Sequence, residues 1–225
     1  MSQDHQQDRP DLGALRREYG DHGLDTPDLA PDPMEMFRRW LDEAVASGLH
    51  EPNAMVVATV SPDGRPSARL VLLKSLDDRG FVFFTNYESR KGREIDAHPE
   101  VSLLFPWHDL QRQVRVEGTA TRVTREESEA YFAGRPRESQ LGAWASPQSR
   151  VVASRAALDE RYGGVLAQFA DLDDVPVPPH WGGFRVAPEE VEFWQGRKGR
   201  MHDRLVYRRV EPDPHAPWTV QRLAP

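Results

Sequence analysis

A short segment near the C-terminus concentrates side chains that can hold an anionic ligand. Residues 191–204 begin with an alternating apolar pattern that predicts a strand, then two glycines predict a turn. A second strand is predicted to start at Arg200, and in it Arg200, His202 and Arg204 would share one face. Three cationic side chains on one face repel each other unless an anion lies there. A solvated, charge-protected edge strand is the alternative, but the neighbouring Trp194 favours a flat anionic ligand.

A second cationic cluster stands at the start of a predicted helix over residues 88–98. Ser89, Arg90 and Lys91 occupy its first turn, where cations oppose the helix dipole. A phosphate at this helix N-terminus would make the same placement favourable, because free N–H groups and both cations would point at it. An exposed basic turn is the alternative explanation.

A third group can act as a phosphate clamp. A capping box at Thr124 predicts a helix on which Tyr131 and Arg135 share a face, and this helix is predicted to end at Arg135. Ser139 follows in a predicted loop that runs to residue 149. A tyrosine, an arginine and a serine that converge near a helix end can bind a phosphate.

The elements that must position these groups are mostly short strands. A helix is predicted to begin at Asp32, with an apolar stripe formed by Met34, Phe37, Leu41, Ala44 and Val45. Strands at 54–60, 68–75 and 81–86 are separated by tight turns and predict an antiparallel meander. Further elements are strands at 101–106, 111–123, 181–194, 200–210 and 218–223 and a helix at 154–169. This order favours an antiparallel barrel or sandwich of mainly β structure with peripheral helices.

Composition narrows the class of protein. The 225 residues carry a net charge of −7, which argues against general nucleic-acid or membrane binding. The absence of cysteine excludes thiol chemistry and is compatible with a cytoplasmic location, and neither a long apolar run nor a secretory signal is visible. No spacing of ligating residues indicates a metal. We expect a mobile arm over residues 1–32, with a short helix at 11–19, and a single domain over 33–225.

The motifs together resemble the pyridoxamine (pyridoxine) 5′-phosphate oxidase family over nearly the whole chain. The 191–204 segment matches the family signature of Glu-aromatic-Trp-Gln, a four-residue gap and Arg-Met-His-Asp-Arg. Further matches, in order, are residues 69–74, 83–86, 89–91, 105–107, 135–140 and 181–183.

The resemblance implies a homodimeric, antiparallel FMN-binding split barrel. The implied reaction oxidises pyridoxamine or pyridoxine 5′-phosphate to pyridoxal 5′-phosphate, with hydride transfer from the substrate C4′ to the flavin and reduction of O2 to hydrogen peroxide. The flavin carries the redox chemistry, and the protein positions and tunes it. Two phosphates, one on FMN and one on the substrate, would explain both anion sites that the residues predict.

Site residues carry over by matching position. By resemblance, FMN is expected to contact Arg69, Leu70, Val71, Leu72, Leu73, Lys74, Phe84, Thr85, Arg90, Lys91, Gln113, Gln148, Ser149, Trp194 and Arg204. The substrate is expected to contact Lys74, Tyr131, Arg135, Ser139, Arg200 and His202, with Arg200 and His202 as the catalytic pair. Arg16 and Tyr19 match a segment that can cover the substrate in this family.

The sequence departs from the family pattern at two positions. Glu51 stands where the family suggests Asp, and Phe84 stands where some members have Tyr and therefore offers no hydroxyl.

One alternative function is that of another flavin- or deazaflavin-dependent reductase on the same barrel, although such relatives lack the Arg-Met-His-Asp-Arg hairpin. The other is a non-catalytic flavin- or pyridoxal-phosphate-binding protein, against which the retention of Arg200 and His202 argues.

Overall fold

The computed structural model describes residues 11–15, 17–210 and 216–225. Within them the helices are α1 (Pro33–Ala46), α2 (Arg90–Ala97), α3 (Arg125–Ala133), α4 (Arg137–Ala145) and α5 (Arg155–Gln168). The strands are β1 (Ala54–Val60), β2 (Pro66–Leu72), β3 (Ser75–Asp77), β4 (Gly80–Asn86), β5 (Glu100–Trp107), β6 (Arg112–Arg122), β7 (Trp181–Gln195), β8 (Asp203–Arg209) and β9 (Trp218–Leu223). None of the described helices is long and apolar enough to cross a membrane.

All strand pairs are antiparallel and form one curved sheet. The order is β2-β1-β5-β6-β7-β4-β3, and β8 pairs with β7 and β9. The 15-residue strand β7 is the centre of this arrangement, because it pairs along one side with β6 and along the other first with β4 and then with β8. The predicted fold class, an antiparallel split barrel with peripheral helices, is confirmed.

The predicted three-strand meander is wrong after its first hairpin. β2 pairs with β1, but the chain then leaves that partner, and the short strand β3 pairs with β4 instead. The exchange occurs between two adjacent residues. The Leu73 N–H donates to Asn53 O at 2.8 Å on the β1 side, and the Lys74 N–H donates to Val82 O at 2.8 Å on the β4 side. The single strand predicted over residues 68–75 is therefore divided in two.

The loop predicted to carry Ser139 is a helix. Pro136 stands at the N-cap of α4 with a φ of −52°, which suits proline, and α4 begins at Arg137, three residues after Gly134 caps α3. The Gln140 side-chain amide donates to Phe132 O at 2.9 Å and joins the two helices. Arg135 consequently lies between the helices and not on the face of α3.

The predicted helix over residues 11–19 is absent from the described part of that segment. Leu12 and Leu15 are 77% and 71% exposed, so no apolar face is buried that would stabilise a short helix. Further along, Leu24 and Ala30 belong to the main core. The mobility of the arm stays a prediction, and residues 1–10 and 16 lie outside the described chain.

Helix α1 closes one side of the barrel as the sequence predicts. The Asp32 carboxylate accepts hydrogen bonds from the backbone of Met34 at 2.7 Å and Glu35 at 3.3 Å, which satisfies two free N–H groups of the first turn. Phe37 is fully buried. Val45 differs from its predicted place in the apolar stripe, because it is 59% exposed.

Close packing of α2 against the strand before it generates a stability prediction. A Cβ added at Gly92 would lie 2.1 Å from the carbonyl oxygen of Tyr87, whereas one at Gly163 in α5 would meet nothing within 4 Å. We expect Gly92→Ala to lower the free energy of unfolding by about 1–3 kcal/mol through overpacking. Gly163→Ala should raise it by about 0.5–1 kcal/mol through helix propensity. Urea denaturation measures both, and equal shifts in the two variants would contradict the packing argument.

Candidate functional site

The first turn of α2 buries a lysine among neutral oxygens. The Lys91 ammonium donates to Thr85 Oγ1 at 3.0 Å and to Gln148 Oε1 at 2.8 Å. No carboxylate of the described residues lies within salt-bridge distance of it. Burial, and to a smaller extent the charge of the nearby Arg69 guanidinium, lowers the pKa of Lys91 to about 8. A buried cation without a counter-ion is complementary to an anionic group of a ligand.

Beside this lysine, one buried carboxylate holds two arginines. Glu94 Oε1 accepts from Arg90 Nε at 2.8 Å, and Oε2 accepts from Ser67 Oγ at 2.6 Å and from Arg69 Nη2 at 3.3 Å. Burial alone would raise the pKa of Glu94, but the hydrogen bonds from Ser67, Thr59 and Arg90 outweigh it and lower the pKa to about 2. Glu94 is therefore ionised at any pH at which the protein is handled.

A cavity of about 270 Å³ lies beside the buried Lys91 ammonium. Its lining residues are Asn86, Arg135, Ser139, Gly142, Ala143, Ser146, Gln148 and Trp181. Because Gln148 lines this cavity and also binds Lys91, the lysine and the cavity are adjacent. The Arg135 guanidinium lies over the Trp181 ring at 4.6 Å, and its Nη1 is buried without a hydrogen-bond partner in the described chain. Burial lowers the pKa of Arg135, and this orphaned donor fits a phosphate oxygen.

Three aromatic rings form the wall behind Arg135. Phe84 stacks on Tyr131 with centroids 3.9 Å apart and planes within 9°, and on Trp181 at 5.4 Å. Burial raises the pKa of Tyr131, so its hydroxyl remains a hydrogen-bond donor. Phe84 has no hydroxyl, and its ring contributes to the site by packing.

The predicted common face of Arg200, His202 and Arg204 is wrong. Strand β8 begins at Asp203, and residues 198–200 form a 3₁₀ turn in which Arg200 has a left-handed φ of 60°. Only Arg204 stands in the strand. The glycine at 199 also has a positive φ, and these two consecutive left-handed residues end the extended conformation that the alternating pattern predicted.

His202 lies in an aromatic corner at this end of the barrel. Its ring centroid is 4.6 Å from that of Trp194 and 5.4 Å from that of Tyr19. The Arg197 backbone N–H donates to His202 Nδ1 at 3.1 Å, so the proton of the neutral ring is on Nε2. Burial lowers the pKa of His202, and the charge of Arg200 adds to this effect, which favours the neutral imidazole.

Arg204 is already paired within the chain. Its Nε and Nη2 donate to the two oxygens of the buried Glu192 at 2.7 and 3.1 Å, and its Nη1 donates to Ala224 O at 3.0 Å. The hydrogen bond with Glu192 raises the pKa of Arg204. Each terminal nitrogen keeps one further N–H, so contact with a ligand remains possible and stays a prediction.

The predicted site residues fall into two groups at opposite ends of β7. Thr85 pairs with Gly182 near the start of that strand, and Gln113 pairs with Trp194 twelve residues further on. At about 3.3 Å per residue this is about 40 Å of strand. Contacts join one group near the start of β7, which comprises Arg69, Phe84, Thr85, Arg90, Lys91, Tyr131, Arg135, Ser139 and Gln148. The other group, near its end, comprises Tyr19, Gln113, Trp194, Arg200, His202 and Arg204. Leu70 on β2 belongs to neither group, because its register through β1, β5 and β6 leads to Glu192.

Arg16, which the sequence predicts as a site residue, lies outside the described residues. Two other features of the site were not predicted from the sequence. Trp181 and Glu94 were not assigned a site role, although the i, i+4 spacing of Arg90 and Glu94 was a signal for the ion pair that forms. Leu70 is 68% exposed on the edge strand β2, which is an unusual place for leucine in a monomer.

The fold and these pockets define a class of protein: an antiparallel split barrel with contiguous cation-lined pockets at one end. Comparison with known families places the chain more closely. The description "Pyridoxamine 5'-phosphate oxidase" matches residues 41–195, and "Pyridoxine 5'-phosphate oxidase C-terminal dimerisation region" matches residues 181–225. The chain belongs to the pyridoxamine 5′-phosphate oxidase family, which confirms the resemblance seen in the sequence.

Relatives agree with this assignment. The chain is 62% identical over 204 residues to a pyridoxine/pyridoxamine 5′-phosphate oxidase of Acidothermus cellulolyticus, which covers 90% of each chain. It is 57% identical over 214 residues to the oxidase of the same name from Salinibacter ruber, covering 95% of this chain and 99% of the relative. The solved structure of PhzG from Burkholderia lata, in complex with tetrahydrophenazine-1-carboxylic acid, matches with a TM-score of 0.82 and 33% identity over 91% of this chain and 99% of that one.

The buried lysine leads to a titration prediction. The chain has three lysines, so ¹³Cε-labelled lysine should give three signals, and we expect that of Lys91 to titrate near its pKa of about 8. Because this folded-state pKa lies below the ordinary value of 10.5, the ligand-free protein should gain stability as the pH rises from about 8 to 10.5.

The matched control is Lys198, whose pKa its hydrogen bond with Asp21 raises above the ordinary value. Lys91→Arg should remove the signal with the low midpoint and leave that of Lys198 in place. A spectrum in which all three lysines titrate together near 10.5 would refute the burial of the Lys91 ammonium in a neutral pocket.

Proposed function

We propose that this protein is an FMN-dependent oxidase that converts pyridoxamine and pyridoxine 5′-phosphate to pyridoxal 5′-phosphate and reduces O2 to hydrogen peroxide. The observation that carries the proposal is the pair of contiguous cationic pockets at Lys91 and Arg135, joined by Gln148. Two neighbouring phosphate sites suit a phosphorylated cofactor beside a phosphorylated substrate. The oxidase names of relatives at 53–62% identity support the same substrate class.

The residues of the first pocket fit the phosphate of FMN. Lys91 has no carboxylate partner among the described residues, and Arg90 directs only its Nε to Glu94. Thr85 and Gln148 supply neutral hydrogen-bonding atoms beside the lysine. When bound, FMN supplies the two-electron acceptor that oxygen then regenerates. The protein's part is to bind and orient the cofactor.

We assign the second pocket to the phosphate of the substrate. Arg135 offers the orphaned buried Nη1, and Ser139 lines the same cavity. Tyr131 belongs to the adjoining aromatic wall and keeps its hydroxyl protonated. Lys74 is exposed at the junction of β2 and β3, where we propose that it contacts both ligands. A phosphate in this pocket would fix one end of the substrate and thereby position its reacting carbon.

Arg200 and His202 are proposed to contact the substrate ring. The neutral His202 presents an Nε2–H that can donate to the ring hydroxyl oxygen, because its Nδ1 accepts from Arg197. Arg200 is exposed and is held by its left-handed backbone at the tip of the hairpin, where its guanidinium can bond the substrate. Trp194 and Tyr19 would exclude water from this corner.

The protein is proposed to act as a homodimer in which each site is shared. About 40 Å of β7 runs between the strand pairings of Thr85 and Gln113, and we propose that the two groups meet across the interface between two subunits. The match of residues 181–225 to a dimerisation region supports this arrangement. A twofold interface would also cover the exposed Leu70 on the edge strand.

The first test is oxygen consumption with pyridoxamine 5′-phosphate, normalised to bound flavin. Arg200→Ala should retain FMN, but its kcat/KM should fall by about 30- to 1,000-fold, since a charged hydrogen bond in a desolvated site is lost. His202→Ala should show a milder loss. Arg204→Ala should instead weaken FMN binding, with partial rescue by excess FMN.

Three outcomes would contradict the proposal. A wild-type rate per flavin in Arg200→Ala would remove the hairpin from the site. A protein that binds FMN but consumes no oxygen with either substrate would be a carrier. Activity confined to tricyclic carboxylic acids of the kind bound to the PhzG structure would indicate a different oxidase of the same fold.

The second test uses subunit mixing. Arg135 lies over Trp181 at the start of β7 and Arg200 follows its end, so with a shared site a mixed dimer of Arg135→Ala and Arg200→Ala contains one intact site and one doubly altered site. Random mixing of two variants that are each inactive should restore about a quarter of the wild-type activity. Mixing Arg135→Ala with Lys91→Ala, which alter the same end, should restore none. Equal recovery from both mixtures would contradict a shared site.

A further inference from the structure

Glu94 occupies an unusual position at the proposed cofactor site. Its side chain is 4% exposed and forms ion pairs with Arg90, beside the proposed FMN phosphate, and with the neighbouring Arg69. A buried carboxylate beside a phosphate site would repel the phosphate unless neighbouring cations neutralised the carboxylate. The hydrogen-bond partners of Glu94 show that two arginines do so.

The two oxygens of Glu94 serve different arginines. Oε1 accepts from Arg90 Nε at 2.8 Å, and Oε2 accepts from Arg69 Nη2 at 3.3 Å. Arg69 is further fixed by donating to Val57 O at 3.2 Å and to Thr59 Oγ1 at 2.6 Å. The terminal nitrogens of Arg90 have no partner within the described chain. The carboxylate thus holds the inner edge of Arg90 and leaves its outer edge for a ligand.

The charges of this group match a phosphate monoester. Arg69, Arg90 and Lys91 contribute three positive charges and Glu94 one negative charge, which leaves a net charge of about +2. A phosphate monoester carries about −1.5 to −2 at neutral pH. Without Glu94, three neighbouring cations would repel each other. Burial is the largest cause of the lowered pKa values of Lys91 and Arg69, and in each case the charge of a neighbouring arginine adds to it.

We propose that Glu94 is a positioning residue for the cofactor phosphate: it holds Arg69 and Arg90 together in the ligand-free protein so that they and Lys91 form a preassembled phosphate site. This role rests on the proposed binding of FMN. The competing explanation is purely structural, because Glu94 also accepts from Thr59 on β1 and Ser67 on β2 and so fastens α2 to the sheet.

Two opposing effects decide the expected sign of a substitution. Glu94→Gln raises the net charge of the group, which by itself would strengthen phosphate binding. Since the Arg90 side chain is 55% exposed, solvent screens this gain to less than about fivefold. Loss of the charged hydrogen bonds that orient both arginines weakens binding by about 10- to 100-fold. The loss of orientation therefore outweighs the gain in positive charge, and we expect Glu94→Gln to bind the phosphate more weakly.

The experiment compares FMN with riboflavin, which lacks the phosphate, by flavin fluorescence titration of the flavin-free protein. Glu94→Gln should raise the Kd for FMN by about 10- to 100-fold and change that for riboflavin by less than about threefold. Glu94→Asp keeps the charge but shortens the side chain by one methylene group. Its ratio of the riboflavin Kd to the FMN Kd should therefore also be smaller than that of the wild type. It serves as the second variant if Glu94→Gln does not fold.

Glu127→Gln is the matched control. Glu127 also bridges two arginines, Arg79 and Arg185, but none of these residues belongs to the proposed site. This substitution should lower stability without changing the FMN-to-riboflavin ratio of Kd values. Each variant is first checked for folding by thermal unfolding.

The outcomes separate the two hypotheses. A parallel loss of FMN and riboflavin affinity in Glu94→Gln, or an unchanged ratio, would overturn the positioning role and leave the fastening role. A wild-type protein that does not distinguish FMN from riboflavin would overturn the phosphate site itself and, with it, any role of Glu94 toward phosphate. A selective loss of FMN affinity supports the proposal.

Discussion

Electrostatic repulsion at the start of α2 is the constraint on which the rest of the site depends. Arg90 and Lys91 stand in a helix first turn, where the dipole is already positive, and Arg69 adds a third cation. The fold partly relieves this repulsion with the Glu94 carboxylate and with neutral oxygens from Thr85 and Gln148. The pKa of Lys91 is still lowered, first by its burial and then by the charge of Arg69. An anionic ligand at this point would therefore stabilise the fold, because it removes a strain that the ligand-free chain retains.

The length of β7 imposes a second constraint, which is geometric. A single strand carries both the Trp181 wall of one pocket and the Trp194 corner of the other group, so the chain itself keeps them apart. Pairing with β6 from Phe184 to Gln195 keeps most of the strand extended. In the proposed shared site, the two groups meet by association of two chains. Dimerisation would then serve the chemistry directly and would not be an independent property of the surface.

Local signals in the sequence predicted local structure well. The carboxylate at Asp32 and the capping box at Thr124 fix helix starts within a few residues, and both form as expected. What the sequence could not supply was the choice of distant partners. The exchange from β1 to β4 between Leu73 and Lys74 depends on Asn53 and Val82, neither of which is a neighbour in sequence. The expectation that ligands from residues 69–91 and 194–204 come from different chains likewise rested on the family resemblance and not on a local signal.

The hairpin after β7 shows how a departure from regular structure serves the site. A continuous strand would have placed residues 200, 202 and 204 in one row. The guanidinium groups of Arg200 and Arg204 would then have faced the same anion. The left-handed backbone at Arg200 instead separates its guanidinium from Arg204, which pairs with Glu192 inside the sheet. The same turn lets the Arg197 N–H reach His202 Nδ1 and select the tautomer. Backbone strain of this kind persists only where surrounding contacts determine it, so the turn places in different surroundings three side chains that the sequence spacing made look equivalent.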